Sequence, residues 1–286
     1  MAKLTNYVML LPGLITCLVF LIVPLAMIVS MSFSTYATTS VSRSAAGALT
    51  FENYVKFFTS PQTPTILFNT FGMAVLTCFM VFIFAYPMAY ILNFNIKSNI
   101  VRNYTLWFLT VPFLIDWTIR TVAWIPILGE SGIINYILMS LRITSRPLTE
   151  LLFTRYTLMI IWLQTYVLFM MFPITLALQR IDPDLIAAAK VLKAPPWRVF
   201  YDIIFKLSLP GVVTGFIFVF VSILGDFITP GLWAGGLQTM GLSIAWYSGH
   251  FVWPYAAALS TILLAISLVV LYVLLKVVDI KKLIYE

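Results

Sequence analysis

Three ionisable side chains lie in or beside stretches of this sequence that are otherwise apolar. Asp116 and Arg120 lie in the apolar segment 104–128, and Asp226 directly follows a long uncharged run. An ionisable group at the centre of a bilayer costs about 2.5–3.5 kcal/mol on insertion scales, so it normally faces protein or water. Recognition of a charged solute is the chemistry that these residues favour. Acid–base or nucleophilic catalysis is poorly supported, because no Ser/His/Asp or Cys/His arrangement accompanies them and His250 is the only histidine.

The spacing leaves a structural role and a functional role open for each group. Asp116 and Arg120 are four residues apart, so they can pair on one helix, and this pair is favoured over a place in a solute pathway. Asp226 has no basic residue nearby in the sequence, so a carboxylate that meets a cationic solute is as well supported as a structural one. The aromatic candidates for the same pathway are Trp124, Phe227 and Trp233, and Trp246 and Tyr247 are further rings that favour a cation. Such rings give cation–π contacts of about 0.5–2 kcal/mol, although interfacial aromatic residues are the more common case.

Composition indicates which elements position these residues. The chain has 286 residues, of which 62% are hydrophobic and 9% charged, whereas a soluble domain has about a quarter charged residues. Five uncharged stretches are near or above the ~20 residues that cross a hydrocarbon layer as a helix. They are Val8–Ser30, Ile66–Leu92, Tyr156–Leu178, Leu207–Gly225 and Phe251–Leu275. With segment 104–128, the sequence predicts an all-α membrane protein with six spanning helices.

The expected organisation is a single transmembrane domain over residues 1–286. The predicted helices cover about 8–30, 66–92, 104–128, 156–178, 207–229 and 251–277, and residues 179–206 form the longest loop. Residues 226–250 contain Pro230 and five glycines. That much glycine argues against one plain spanning helix and favours a broken or re-entrant segment.

Lysine and arginine in the loops predict that both termini are cytoplasmic. With that orientation eleven basic residues lie inside and five outside, and Arg120 lies within the third span. The net charge of +7 is then explained by topology, and no nucleic-acid partner is expected. The first apolar run is too long for a signal peptide and is expected to stay as a helix. No metal-ligand spacing is present, so no cofactor is expected on this chain.

The loop between the fourth and fifth spans is unusually charged for this chain. From Arg180 to Lys206 it has five basic and three acidic residues. Asp182-Pro183 suits an N-cap and a first helical residue, and Pro195-Pro196 is expected to end the helix that follows. Charges four apart in "WRVFYDIIFKLSL" predict a second short helix. The pattern alone is also typical of an ordinary amphipathic surface element.

This loop resembles the cytoplasmic motif of ATP-binding-cassette importer permeases, which begins with Glu-Ala-Ala and continues to a Gly. Ala188 and Ala189 match the paired alanines, whereas Ala187 stands at the Glu position and Lys193 at the Gly position. Other similar stretches are "GESGIIN" after "IRTVAWIPIL", "ILGDFITPGLWAGG" and "VMLLPGLITCLVFLIVPLAMIVSMSF". The resemblance runs along nearly the whole chain and is greatest to B-type permeases of spermidine/putrescine transport.

The resemblance implies the fold of a type I ABC importer permease with a loop that couples to an ATPase. The residues expected in that coupling loop are Asp184, Ala187, Ala188, Ala189, Lys190, Lys193, Pro195, Pro196, Trp197 and Arg198. Pro195-Pro196 is expected to supply the turn that the motif's Gly normally permits. The implied partners are a second permease subunit, two ATPase subunits that hold ATP and Mg, and an extracytoplasmic solute-binding protein. The chain has no GxxxxGK[ST], so ATP hydrolysis is expected on separate subunits.

The predicted function is half of the solute pathway of an ATP-driven importer in the inner membrane, with polyamines as the favoured solute. Iron(III), sulfate, thiamine and phosphonate-type solutes stay open, because the loop motif does not separate these permeases. A self-contained secondary transporter would show inverted repeats and intramembrane ion ligands on one chain, and neither is found in the sequence. A membrane-embedded enzyme would cluster His, Asp or Glu at one depth, which one histidine and two intramembrane acids do not favour.

Overall fold

Every element of the described secondary structure is helical. The computed structural model describes residues 12–13, 15–35, 49–149 and 153–277, and within them the predicted all-α class is confirmed. Six helical segments there are long and apolar enough to cross a membrane, as predicted. They are Ile15–Ser32, Gln62–Asn95, Trp117–Ser140, Arg155–Gln179, Pro196–Gly225 and Trp253–Lys276.

The helices are numbered here in chain order. They are α1 (Ile15–Ser32), α2 (Glu52–Thr59), α3 (Gln62–Asn95), α4 (Asn99–Thr110), α5 (Trp117–Val122), α6 (Ile125–Leu128), α7 (Ile133–Ser140), α8 (Arg155–Gln179), α9 (Pro183–Val191), α10 (Pro196–Gly225), α11 (Ile228–Trp233), α12 (Met240–Gly249) and α13 (Trp253–Val277). Three of them contain a π-helical turn, namely Leu18–Ile22 in α1, Ile91–Asn95 in α3 and Val199–Phe205 in α10.

The chain divides into two compact units, of which the first comprises Met1–Leu67 and Ser243–Ile266. In this unit α2 is tied to the end of α1. The Asn53 side-chain amide donates to the carbonyls of Ser32 and Ser34, both at 2.9 Å, and the Ser32 and Tyr54 hydroxyls lie 2.6 Å apart. A short helix beside the first span is thereby held by buried polar groups that satisfy one another. The single domain over 1–286 stays a prediction.

The second unit comprises Phe68–Leu242 and Ser267–Glu286, and its main contact is that of α8 with α10. Gly211 and Gly215 lie four residues apart on α10 and face α8. A Cβ on Gly211 would lie 2.5 Å from the Pro173 carbonyl oxygen, and one on Gly215 would lie 2.8 Å from Cγ of Met170. Small residues at this spacing let the backbones of two membrane helices approach closely. Because α8 ends at Gln179 and α10 begins at Pro196, this pair of helices fixes both ends of the segment 180–195.

The third span differs from the single helix predicted over 104–128. α4 ends at Thr110, a 3₁₀ turn follows, and α5 begins at Trp117. Pro112 lies in that turn and Pro126 in the first turn of α6, and neither can donate the backbone hydrogen bond that a continuous helix needs there. The segment long enough to span a membrane is therefore Trp117–Ser140, and it is built from three short helices.

The fifth span also begins earlier than predicted. α10 begins at Pro196 instead of 207 and ends at Gly225 instead of 229, and Pro210 lies inside it without ending it. The second short helix predicted for the loop is therefore the first part of this spanning helix. Its four-residue charge spacing does form an ion pair, since Lys206 Nζ lies 2.9 Å from Oδ1 of Asp202.

Residues 226–250 contain the two short helices α11 and α12, so the predicted broken segment is confirmed. Gly235, in the turn between them, has a φ of +55°, and a Cβ there would overlap the carbonyl of Phe153. Only glycine adopts this left-handed backbone without steric cost. The glycine-rich composition thus encodes a tight turn against a neighbouring segment.

Candidate functional site

Asp226 lies at the end of α10, and its carboxylate accepts three hydrogen bonds. The indole Nε1–H of Trp162 donates to Oδ2 at 2.7 Å. The backbone N–H groups of Ile228 and Thr229 donate to Oδ1 at 3.0 and 3.1 Å, which satisfies donors in the first turn of α11. The residue is only 6% exposed. In this conformation the protein itself solvates the carboxylate, and the side chain links α8, α10 and α11.

Two tryptophans join α5 to α11 beside this carboxylate. Trp117 Nε1 donates to the hydroxyl of Thr229 at 3.3 Å, and Trp233 Nε1 donates to the carbonyl of Thr121 at 3.1 Å. Trp233, a predicted pathway residue, is 1% exposed, so its ring face is covered by the protein. Two indole N–H hydrogen bonds therefore connect the broken third span to the glycine-rich segment. Indole donors normally find an acceptor when they are buried.

Asp116 and Arg120 do not form the predicted ion pair. The Asp116 carboxylate is exposed and accepts from the Thr118 backbone N–H at 2.8 Å, which caps the start of α5. The Arg120 guanidinium instead lies over the Trp117 ring, with Cζ 5.9 Å from its centroid. Asp116 does not pair with Arg120 because it is the N-cap of α5. Its carboxylate accepts from a backbone N–H of the first helical turn that would otherwise have no partner.

Two buried polar atoms near Asp226 lack a hydrogen-bond partner within the described chain. They are Nε of Arg120 and the hydroxyl of Tyr166. The Trp117 ring contacts both residues, since the Arg120 guanidinium lies over it and the Tyr166 ring packs edge-on against it at 5.2 Å. Trp117 also donates to Thr229, whose backbone N–H donates to Asp226. Buried groups left in this way are costly unless something else satisfies them.

The remaining pathway candidates lie at the edge of this cluster. Phe227 is 49% exposed, and Trp124 donates to Oε1 of Gln164 at 3.4 Å. The sequence interpretation missed Trp162 and Tyr166, both on α8. Their signal was weak but present, since an indole or a phenol in an uncharged span needs an acceptor. Within the described residues, no group of three His, Cys, Asp or Glu side chains could hold a metal ion.

The coupling-loop candidates lie in a helical hairpin, residues 182–198. It consists of α9, the turn that follows it and the first turn of α10. Asp182 Oδ1 accepts from the Asp184 backbone N–H at 2.9 Å, and Pro183 is the first residue of α9, so the predicted N-cap pair is confirmed. The turn after α9 occurs at Lys193, whose φ is +53°. Pro195-Pro196 does not supply this turn, contrary to prediction, because Pro196 is already the first residue of α10.

The turn at Lys193 is a Schellman motif. Its N–H donates to the Lys190 carbonyl and the Ala194 N–H donates to the Ala189 carbonyl, both at 3.0 Å. A non-glycine residue in the left-handed region costs about 1–2 kcal/mol. Lys193 adopts it at the position where the sequence departs from the motif's Gly. The turn is therefore present without its usual residue.

The hairpin presents a largely exposed surface. Of its ten candidate residues only Ala189 and Pro195 are half-buried, and the other eight are exposed. Large apolar side chains are exposed beside them. They are Leu185 (49%), Val191 (81%), Leu192 (81%) and Trp197 (64%). The Arg198 guanidinium lies 5.2 Å from the Trp197 ring centroid. Apolar area of this kind on a polar, charged hairpin is typical of an interaction surface.

Comparison with known proteins gives one family and several relatives. The family described as "Binding-protein-dependent transport system inner membrane component" matches residues 82–282. The spermidine/putrescine transport system permease protein PotB of Haemophilus influenzae is 27% identical over 259 residues, which cover 88% of each chain. PotB of Escherichia coli K12 is 26% identical over 256 residues, covering 88% of this chain and 90% of that protein. The putative 2-aminoethylphosphonate transport system permease protein PhnU of Salmonella typhimurium is 27% identical over 203 residues, covering 69% of each.

A solved structure shows the same fold. The crystal structure of a bacterial alginate ABC transporter, in complex with alginate pentasaccharide-bound periplasmic protein, contains a chain that superposes with a TM-score of 0.73. The alignment covers 96% of this chain and 93% of that chain at 19% identity. At that identity the likeness concerns the fold and says nothing of the solute.

Proposed function

Because the chain belongs to the family of binding-protein-dependent transport system inner membrane components, we propose that it forms half of the solute pathway of an ATP-driven polyamine importer. The family confirms the predicted ABC importer permease in the inner membrane. The observation that carries the solute class is the near end-to-end similarity to two proteins named as spermidine/putrescine permeases.

The surroundings of Asp226 support a cationic solute. Within the described chain no Lys or Arg lies within ion-pair distance of its carboxylate, so the charge is balanced only by neutral donors. An ammonium group is a stronger partner for a carboxylate than an indole N–H. We infer that solute entry replaces the Trp162 contact with an ammonium contact, and that the half-exposed Phe227 ring lies at the entrance.

Arg120 favours a second candidate solute, an aminophosphonate. Its Nε has no acceptor within the described chain, and Trp117, over which Arg120 lies, donates to Thr229 beside Asp226. A zwitterion with an ammonium and a phosphonate group would satisfy a carboxylate and a guanidinium at once. The similarity to a protein named as a putative 2-aminoethylphosphonate permease points the same way, over a smaller part of the chain.

Energy for transport would come from partner subunits that dock on the hairpin. We propose that the exposed apolar side chains of Leu185, Val191, Leu192 and Trp197 enter a groove of an ATP-binding-cassette ATPase. The proposed assembly has a second permease subunit, two ATPases that hold ATP and Mg, and an extracytoplasmic binding protein. Both termini are proposed to be cytoplasmic, and no cofactor is assigned to this chain.

The test is uptake by the whole assembly in proteoliposomes. We expect ATP-dependent uptake of putrescine or spermidine that ends when the phosphate-loop lysine of the ATPase is replaced. An alginate oligosaccharide serves as a control for solutes that share only the fold. Uptake of 2-aminoethylphosphonate but of neither polyamine would select the second candidate. ATP hydrolysis by this chain alone would contradict the permease assignment.

A further inference from the structure

A cavity of about 770 Å³ lies beside the coupling hairpin, at the ends of α3 and α8. Two cationic side chains, those of Arg102 on α4 and Lys190 on α9, line it. Three amide side chains, of Asn93, Asn103 and Gln179, line it as well, and no Asp or Glu is among its lining residues. A space with two positive charges, several amides and no carboxylate is suited to an anion.

Two lining residues carry buried polar atoms without a partner in the described chain. Arg102 donates from Nη2 to Oδ1 of Asn99 at 2.9 Å, but its Nε–H has no acceptor. Asn93 donates from Nδ2 to the Ala89 carbonyl at 2.7 Å, but its Oδ1 has no donor. Both atoms are covered in this conformation, and each side chain keeps hydrogen-bonding capacity that the described chain does not use.

The nearest acidic residues in the sequence do not neutralise the cavity. Asp182 and Asp184 are exposed and are not among its lining residues, and the Asp182 carboxylate is bonded to the Asp184 backbone N–H. Asp202 is paired with Lys206 at 2.9 Å, the one ion pair among the described residues. Neither Arg102 nor Lys190 therefore has an ion-pair partner among the described residues.

The position of the cavity identifies the source of that molecule. α3 ends at Asn95 and α8 at Gln179, and both helices are long and apolar enough to span a membrane, so the cavity lies at the ends of two candidate spans. Basic pockets between the ends of membrane helices bind lipid headgroups. We propose that the cavity binds the phosphoglycerol headgroup of an anionic lipid. Arg102 and Lys190 hold the phosphodiester, and the amide side chains that line the cavity bond the headgroup hydroxyls.

The site touches the part of the molecule that would couple to an ATPase. Pro183, Ile186 and Ala187 of α9 form one wall of the cavity, and Leu178 and Gln179 of α8 form another. A headgroup seated between them holds the hairpin against the end of the fourth span. Membrane lipid composition therefore regulates how firmly the coupling helix is positioned, independently of which solute is carried.

Native mass spectrometry of the delipidated, detergent-purified chain tests the proposal with phosphatidylglycerol and phosphatidylcholine of identical acyl chains. We expect clear preference for phosphatidylglycerol, and a loss of about fivefold in its affinity in each of Arg102→Gln and Lys190→Gln. Lys97→Gln is the matched control, since it removes a nearby basic charge from a residue that does not line the cavity. Equal losses in all three variants would show diffuse electrostatics and overturn the assignment.

Two further experiments complete the test. One uses a variant that keeps every cavity group and controls for misfolding, and the other distinguishes a lipid headgroup from free phosphate. Ala187→Glu adds a carboxylate to the cavity wall without removing any group, so it should lower phosphatidylglycerol binding while the far-ultraviolet spectrum stays unchanged. Inorganic phosphate at millimolar concentration should not displace the lipid. Displacement by phosphate, or equal binding of the two lipids, would mean that the cavity does not select a lipid headgroup.

Discussion

Nε1 of Trp162 lies 2.7 Å from Oδ2 of Asp226, and this hydrogen bond joins the first half of α8 to the residue that follows α10. The same two helices approach closely through Gly211 and Gly215. The hydrogen bond is charge-assisted and buried, so it is both stronger than a neutral bond and more costly to remove. Asp226 therefore has a fixed position within the second unit, and its backbone partners begin the broken segment that follows.

Trp162→Phe should destabilise the protein while keeping most of the packing volume. The substitution leaves Oδ2 of Asp226 without its donor, and loss of one bond to a buried charged group costs about 1.5–3 kcal/mol. Thermal unfolding in detergent measures the effect. Trp107→Phe is the control, because Trp107 is 75% exposed. If the two variants melt together, the Trp162 contact contributes nothing to stability.

Asp226→Asn should lower uptake of a cationic solute and leave the assembly intact. An asparagine Oδ1 still accepts from the N–H groups of Ile228 and Thr229, so the start of α11 is kept. The negative charge is lost together with the Trp162 bond, because the new amide NH2 cannot accept from the indole N–H. Initial uptake rates of putrescine by the reconstituted importer, at equal amounts of assembled complex, measure the change. Asp116→Asn, at an exposed capping position, is the matched charge control. Unchanged uptake would remove Asp226 from the pathway.

Local sequence signals predicted those elements that depend on neighbouring residues. The Asp182-Pro183 start of α9 and the broken segment 226–250 are both encoded within a few positions. The third span failed because a hydropathy window counts apolar residues and does not register that Pro112 and Asp116 each favour a break. Composition gave the number of spans correctly and the continuity of this one incorrectly.

The sequence predicted only part of the candidate site, because some of its contacts join residues that are far apart in the chain. That Asp226 lacks a basic neighbour is visible in the sequence, but its bond to Trp162 connects residues 64 positions apart. The turn at Lys193 was also missed, because lysine has no intrinsic preference for a left-handed backbone. At Lys193 the hydrogen bonds that close the C-terminus of α9, together with the start of α10, outweigh the preference of lysine for a right-handed backbone.

Lys193→Gly should stabilise the hairpin. Glycine removes the steric cost of the left-handed conformation, about 1 kcal/mol, at a position with φ of +53°. Ala188→Gly, within the regular part of α9, should instead cost about 1 kcal/mol. Opposite shifts of the two variants in thermal unfolding, or in hydrogen exchange of the 183–198 amides, check the assignment. Shifts in the same direction would mean that the turn is not strained in solution.

Leu192→Glu should uncouple ATP hydrolysis from transport without loss of folding. The side chain is 81% exposed within this chain, so a charge there leaves the internal packing untouched. In an apolar groove of an ATPase the same charge would be buried and unpaired, which is strongly unfavourable. Co-purification of the ATPase and solute-stimulated hydrolysis are the measurements. Leu192→Met, which keeps the apolar character, should retain both. Normal ATPase binding by the Glu variant would place the docking surface elsewhere.

Gly211→Ala should disrupt the packing that fixes the ends of the hairpin. The added methyl would lie 2.5 Å from the Pro173 carbonyl oxygen and 2.6 Å from Cβ of Ala177, so α10 must move away from α8. Overpacking of this kind costs about 1–3 kcal/mol. Gly72→Ala is the matched control, because a Cβ on Gly72 meets nothing within 4 Å and alanine favours a helix. Thermal unfolding and monodispersity in detergent should therefore fall for the first variant and hold or improve for the second. A Gly211→Ala protein as stable as the wild type would show that the two helices pack less closely than described.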